Sequence, residues 1–295
     1  MPRWILFSVL TVVLWGLWGF VPRKLPAMPA EQSQVISTLG LFPIMAALLW
    51  RRERLSGSRR RRGCILAVMS GLIGSGGNLA FYRLMSAGQS AATVVPLTSL
   101  YPLVTVVLAV LLLKERLNFI QATGIAFALV AIYFFNVGRE QPFSWGWLMF
   151  AMMPVVLWGI SGLLQKMSTN DISAELSTLC FLAALVPLSV VLVLVVPMTW
   201  SLPAADWLWA IALGLLLGLG NLTVLAAFAA GGKAAIVTPM AGLYPAITVG
   251  LAVGFLGERV RLREGLAITL ALIAVVALSR ETPAKLTDTS TPAST

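Results

Sequence analysis

Histidine is missing from all 295 residues, cysteine occurs only twice, and charged side chains make up 11% of the chain. Without histidine, the commonest general base and the commonest metal ligand are gone. Cys64 and Cys180 are too few for a disulfide framework or a thiolate metal site. Acidic residues are scarce as well. All eleven, Glu31, Glu53, Glu115, Glu140, Asp171, Glu175, Asp206, Glu258, Glu264, Glu281 and Asp288, fall in loops, tails or the ends of apolar runs. A proton relay at mid-membrane needs an ionisable group there, and an enzyme needs a nucleophile with a base, or a metal. The sequence offers neither, so no catalytic residue, metal or cofactor is expected. Low charge also excludes an ordinary soluble surface, since soluble domains carry about 25% charged residues.

Apolar side chains are abundant, at 59% of the chain. A bilayer core about 30 Å thick is crossed by roughly 20 apolar residues in a helix. Runs of that kind lie near 4–21, 34–50, 64–84, 91–113, 119–137, 146–165, 175–196, 207–229, 234–256 and 262–279. Alternating strands of a membrane barrel are not seen. The expected fold is an all-α integral membrane protein of ten transmembrane helices with the lipid bilayer as its partner. Short connections make neighbouring helices antiparallel. The first run follows Arg3 and has the look of a signal peptide. Its counterpart recurs deep in the chain, so it is expected to remain as the first helix. The segment 281–295, rich in Thr, Ser and Pro, is expected to be a disordered tail.

The net charge is +10, and seven of the 21 basic residues stand between Arg51 and Arg62. Aromatic and basic residues are not interleaved on a polar surface, which excludes a nucleic-acid partner. Basic loops are retained in the cytoplasm. With the N-terminus inside, the inner loops hold Arg3, the arginines of 51–62, Lys114, Arg116, Lys166, Lys233, Arg280 and Lys285. The outer loops hold Arg23, Lys24, Arg83, Arg139, Arg259, Arg261 and Arg263. This balance places both termini in the cytoplasm of a cell (inner) membrane protein.

A shift of 143 residues lays the chain over itself. From 78 to 116, 19 of 39 positions are identical without a gap. Asn78 falls on Asn221, Pro96 on Pro239, Tyr101-Pro102 on Tyr244-Pro245, and Trp15-Gly16 on Trp158-Gly159. Residues 1–140 and 144–280 are therefore two repeats of five helices each. An odd helix number sends the second copy into the membrane from the opposite side, the inverted arrangement of many secondary transporters. The arginine-rich loop 51–62 corresponds to 194–205, which has no basic residue, so the two loops should face opposite sides.

The stretches LTSLYPLVTVVLAVLLLKERL and MAGLYPAITVGLAVGFLGERV, with the Trp-Gly pair opening each half, resemble the EamA unit of the drug/metabolite transporter superfamily. That resemblance implies ten helices, a central cavity between the halves, and outward movement of small metabolites, often amino acids.

Several residues are candidates for lining such a cavity. Thr11, Trp15 and Trp18 share one face of the first helix, and Trp158, Ser161 and Gln165 one face of the sixth. Asn78 and Asn221 need partners in hydrocarbon, either a neighbouring helix or a solute. Tyr82 lies one turn beyond Asn78. Pro102 and Pro245 cannot donate to the carbonyls of Thr98 and Ala241, which frees those acceptors and invites a kink. Tyr101 and Tyr244 precede these prolines and can reach inward or sit at an interface. Gly71 and Ser75, matched by Gly214 and Gly218, suit close helix packing. Trp145, Trp147, Trp200, Trp207 and Trp209 suit an interfacial belt. Glu115-Arg116 and Glu258-Arg259 are expected to pair at helix ends. Arg83, Lys166 and Lys233 are expected to snorkel.

These features point to an exporter that moves a small solute by rocking one half against the other. A channel and a non-transporting receptor are the alternatives. The aromatic and amide side chains lean towards a compact zwitterion such as an amino acid, with nucleobases second. A homodimer is compatible with the sequence.

Overall fold

The computed structural model describes residues 2–113, 118–137, 145–232 and 234–278. The described residues form α-helices and short 3-10 turns, and no strand beyond one isolated bridge between Gly57 and Ile172. The first half holds α1 (Arg3–Phe20), α2 (Ala30–Leu39), α3 (Phe42–Trp50), α4 (Arg60–Ser86), α5 (Ala91–Thr98), α6 (Tyr101–Leu113) and α7 (Phe119–Val137). The second repeats the series as α8 (Trp145–Thr169), α9 (Ala174–Ala183), α10 (Val186–Val195), α11 (Ala204–Ala229), α12 (Ala234–Ala241), α13 (Pro245–Leu256) and α14 (Leu262–Leu278).

Four runs expected as single helices are each split in two: 34–50, 91–113, 175–196 and 234–256. The first of these runs also begins earlier, at Ala30. Proline explains each break. Pro43, Pro102, Pro187 and Pro245 stand in the first turn of α3, α6, α10 and α13. Proline has no N–H to continue the preceding ladder, yet its fixed φ suits a helix start. Between the halves of the last broken run, Gly242 N donates to Thr238 O at 2.9 Å and Tyr244 N to Ala241 O at 3.2 Å.

Among the described residues, six stretches are long and apolar enough to cross a membrane: Arg3–Lys24, Ala30–Trp50, Arg60–Ser86, Trp145–Thr169, Ala174–Val195 and Ala204–Ala229. Ala91–Thr105, Phe119–Phe134 and Pro245–Leu256 are shorter apolar helices. Large apolar side chains are exposed along the outside, among them Leu6, Ile65, Leu72, Leu194 and Leu208. Such a surface demands lipid.

The two halves exchange their first helices. α1 packs on α11 and α13 of the second half, and α8 packs on α4 and α6 of the first. The contacts are reciprocal. Thr248 Oγ1 donates to Gly16 O at 2.7 Å, and Thr105 Oγ1 donates to Gly159 O at 2.9 Å. A Cβ on Gly16 would lie 2.6 Å from Ile247 Cβ, and one on Gly159 2.5 Å from Val104 Cβ. Only glycine lets these helices approach so closely. The pairs Gly16/Gly159, Thr105/Thr248 and Val104/Ile247 all obey the 143-residue offset.

Charged side chains tie the ends of the bundle. At one end, Arg59 Nη2 lies 2.6 Å from Asp171 Oδ1 and Arg62 Nε 3.5 Å from Asp171 Oδ2. Ser173, the N-cap of α9, also donates to Arg54 O at 2.7 Å. At the other end, Arg83 Nη2 meets Glu31 Oε1 at 2.6 Å. Glu258 reaches Arg23 Nε at 3.2 Å instead of pairing with Arg259 as expected. It also accepts from Ser90 Oγ at 2.8 Å and from the N–H groups of Ala91 and Ala92 at 3.2 and 3.0 Å. A carboxylate there caps α5 and faces the positive end of its dipole. The expected Glu115–Arg116 pair and Lys233 lie outside the described residues.

Candidate solute cavity

Where the exchanged helices meet, a cavity opens between the halves. α1 supplies Trp15 and Trp18, one turn apart. α8 supplies Trp158, Ser161 and Gln165 at the same helical spacing, and α4 and α11 bring Asn78 and Asn221 to face them. The α5–α6 and α12–α13 breaks deliver Tyr101 and Tyr244. The cavity holds about 620 Å³ of empty space, the open space at its mouth included.

Nine of the twelve residues singled out from the sequence therefore surround one space. Thr11 is outside it, with its hydroxyl 2.8 Å from that of Thr223 on α11. The other two stand behind its wall. Tyr82 is buried, and its hydroxyl accepts from Trp18 Nε1 at 3.3 Å. Thr98 Oγ1 turns back to the carbonyls of Val94 and Val95 at 2.9 and 3.1 Å. Gly74, Gly162, Phe181, Val224, Phe228 and Thr238 complete the lining and were not anticipated. Val224 and Phe228 were findable, since they stand three and seven residues after Asn221 on one helical face.

Aromatic packing repeats across the halves. Trp158 meets Tyr101 edge-on at 6.4 Å between centroids, and Trp15 meets Tyr244 edge-on at 6.2 Å. Trp18 stacks on Phe81 at 4.7 Å. The hydrogen bonds do not repeat. Trp158 Nε1 donates to Asn78 Oδ1 at 3.0 Å. The matching oxygen of Asn221 instead accepts from Gln165 Nε2 at 3.0 Å, while Asn221 Nδ2 donates to Leu217 O at 2.9 Å. Trp15 Nε1, Thr238 Oγ1 and Tyr244 Oη are buried without a hydrogen-bond partner. Tyr244 lies beside the Thr98 hydroxyl without hydrogen-bond geometry.

Among the described residues, the cavity's lining is weighted towards one end of the bundle. Gln165, Val224, Phe228 and Thr238 line it there. Their counterparts 143 residues earlier are Pro22, Phe81, Met85 and Val95. Phe81, Met85 and Val95 are buried in solid core with Trp18 and Tyr82, which closes the opposite end. No Asp, Glu, Lys or Arg stands among the described lining residues. Lys166 Nζ sits outside the lining, 5.6 Å from the Phe228 ring centroid.

The pattern of the EamA-like transporter family matches residues 2–137 and, a second time, residues 145–280. The chain belongs to this family, within the drug/metabolite transporter superfamily. Its members are membrane transporters, and as an EamA-like transporter the chain is a multi-pass membrane protein built from two such units. Protein LicB of Haemophilus influenzae is 24% identical over 180 residues, covering 58% of this chain and 60% of LicB. The chain thus spans less than two thirds of that relative. Uncharacterized protein MJ1333.1 of Methanocaldococcus jannaschii is 27% identical over 136 residues, covering 46% of this chain and 97% of its own length. That relative is one unit long. A solved structure titled only "Crystal structure of protein" superposes with a TM-score of 0.68 over 92% of this chain and 94% of that one, at 18% identity. It shares the fold.

Proposed function

We propose that this EamA-like transporter is a secondary carrier that exports a compact metabolite by alternating access. Ten membrane crossings, five per half, run in inverted order about an in-plane pseudo-two-fold, with both termini in the cytoplasm of the plasma membrane. The observation that carries this reading is the cavity at the seam of the two halves, its lining weighted towards one end and the opposite end closed by Trp18, Phe81 and Tyr82. Sequence-related halves packed through reciprocal contacts are what a rocking mechanism requires, because each half can adopt the other's arrangement. A closed end also speaks against an open channel.

Nine cavity residues, Trp15, Trp18, Asn78, Tyr101, Trp158, Ser161, Gln165, Asn221 and Tyr244, form the substrate site in this reading. Tyr82 and Thr98 support it from behind. Aromatic walls and amides suit an amino-acid-like zwitterion, and nucleobases are second. Purified chain in proteoliposomes tests the proposal. Saturable flux of at least one amino acid or nucleobase is expected. Absence of flux across a broad metabolite panel would contradict it, and single-channel conductance steps would point to a channel.

A further inference from the structure

We infer that the cavity takes a net-uncharged solute through an acceptor atom, held by Trp15 Nε1, Thr238 Oγ1 and Tyr244 Oη, and that Gln165 keeps Trp15 free to do so. This deepens the solute-site reading and rests on it.

Three buried donors without partners are unusual, because buried polar groups are nearly always hydrogen-bonded. Here all three border the same cavity. They come from α1 and from the segment Thr238 to Tyr244, and α1 packs on both α12 and α13. What would satisfy them is an acceptor oxygen or nitrogen entering the cavity.

Gln165 explains why Trp15 is left over. In the other half, the Asn78 oxygen takes the Trp158 N–H at 3.0 Å. The two-fold would give the Asn221 oxygen to Trp15. Gln165 Nε2 bonds that oxygen at 3.0 Å and, with the Asn221 Nδ2 bond to Leu217 O at 2.9 Å, fixes the orientation of the amide; proline stands at the matching position, Pro22, so the first half has no such contact. Gln165 is therefore a positioning residue that reserves one indole N–H for the solute.

Charge points to the class of occupant. Among the described residues, the lining has no ionisable partner of either sign apart from the tyrosines. An ion entering without a counter-charge loses its hydration unrepaid. The flat apolar part of the solute lies among Trp18, Trp158, Phe181 and Phe228.

One-ring probes of matched size test this with the full chain in detergent, by calorimetry: benzamide, benzoate and benzylammonium. Benzamide is expected to bind, and both ions to bind at least about tenfold more weakly. Trp15→Phe and Thr238→Val should each weaken benzamide about tenfold, the usual scale of one lost hydrogen bond. Thr238→Ser should restore binding. Gln165→Leu should also weaken it, by freeing the Asn221 amide to turn its oxygen to Trp15. Melting curves show that each variant folds. Three results would overturn the inference: no benzamide binding, either ion binding as tightly as benzamide, or unchanged benzamide affinity in folded Trp15→Phe and Thr238→Val. The expected binding pattern without flux of any solute would defeat the carrier reading alone. Flux with a charged probe preferred would defeat this inference alone.

Discussion

Trp158 gives its indole N–H to the Asn78 amide at 3.0 Å, while Trp15, the same residue 143 positions earlier, gives its own to nothing. The two halves share a backbone plan and differ in how they satisfy it. Under the proposed alternating mechanism, such a difference would bias which end is open. It also makes the two asparagines unequal under mutation.

Replacing Asn78 with Leu strands the Trp158 N–H in the interior. An orphaned buried donor costs about 1–3 kcal/mol. Asn78→Leu should therefore lower the melting temperature, and adding Trp158→Phe should recover part of the loss because both partners are then gone. A thermal double-mutant cycle checks this. Strict additivity of the two losses would refute the pairing.

Gly16 and Gly159 hold the exchanged helices together. A methyl group at either meets a Cβ at 2.6 or 2.5 Å. Overpacking of this kind costs about 1–3 kcal/mol. Gly16→Ala and Gly159→Ala should each reduce thermal stability in detergent. Gly250→Ala, where nothing lies within 4 Å, should leave it unchanged or raise it.

Glu258 links three parts of the chain: Arg23, the start of α5, and the loop after α13. Glu258→Ala should destabilise by about 1–2 kcal/mol through the lost cap and pair. Arg23→Gln should cost less, because the capping bonds survive. Equal losses in the two variants, read from melting curves, would show that the pair outweighs the cap.

Much of this architecture was legible from the chain. Asn, Tyr-Pro and Glu-Arg recurring at one offset cannot arise from apolar composition, so the duplication and the family stood out. Helical spacing placed Trp15 with Trp18, and Trp158 with Ser161 and Gln165, on shared faces. The splitting of four runs was not legible. Leu-rich sequence continues through Gly40-Leu41 and Ala184-Leu185, and a proline marks a kink without stating its size. Glu258 was assigned to its neighbour Arg259, whereas folding brings Arg23 to it from 235 positions away. Thr238 and Phe181 entered the lining unannounced. Thr238 matches Val95 at the repeat offset, so the duplication does not flag it, and only the packing of α12 on α1 turns it towards the cavity.

The central claim, two sequence-related halves inverted across the membrane, is tested most directly by site-directed labelling in intact cells. Single cysteines would be placed at Ser58 and Ser201, both exposed, in a chain with Cys64 and Cys180 replaced. An impermeant maleimide should label Ser201→Cys from outside and reach Ser58→Cys only after the cells are opened. Labelling of both positions from the same side would contradict the inverted arrangement and the carrier built on it.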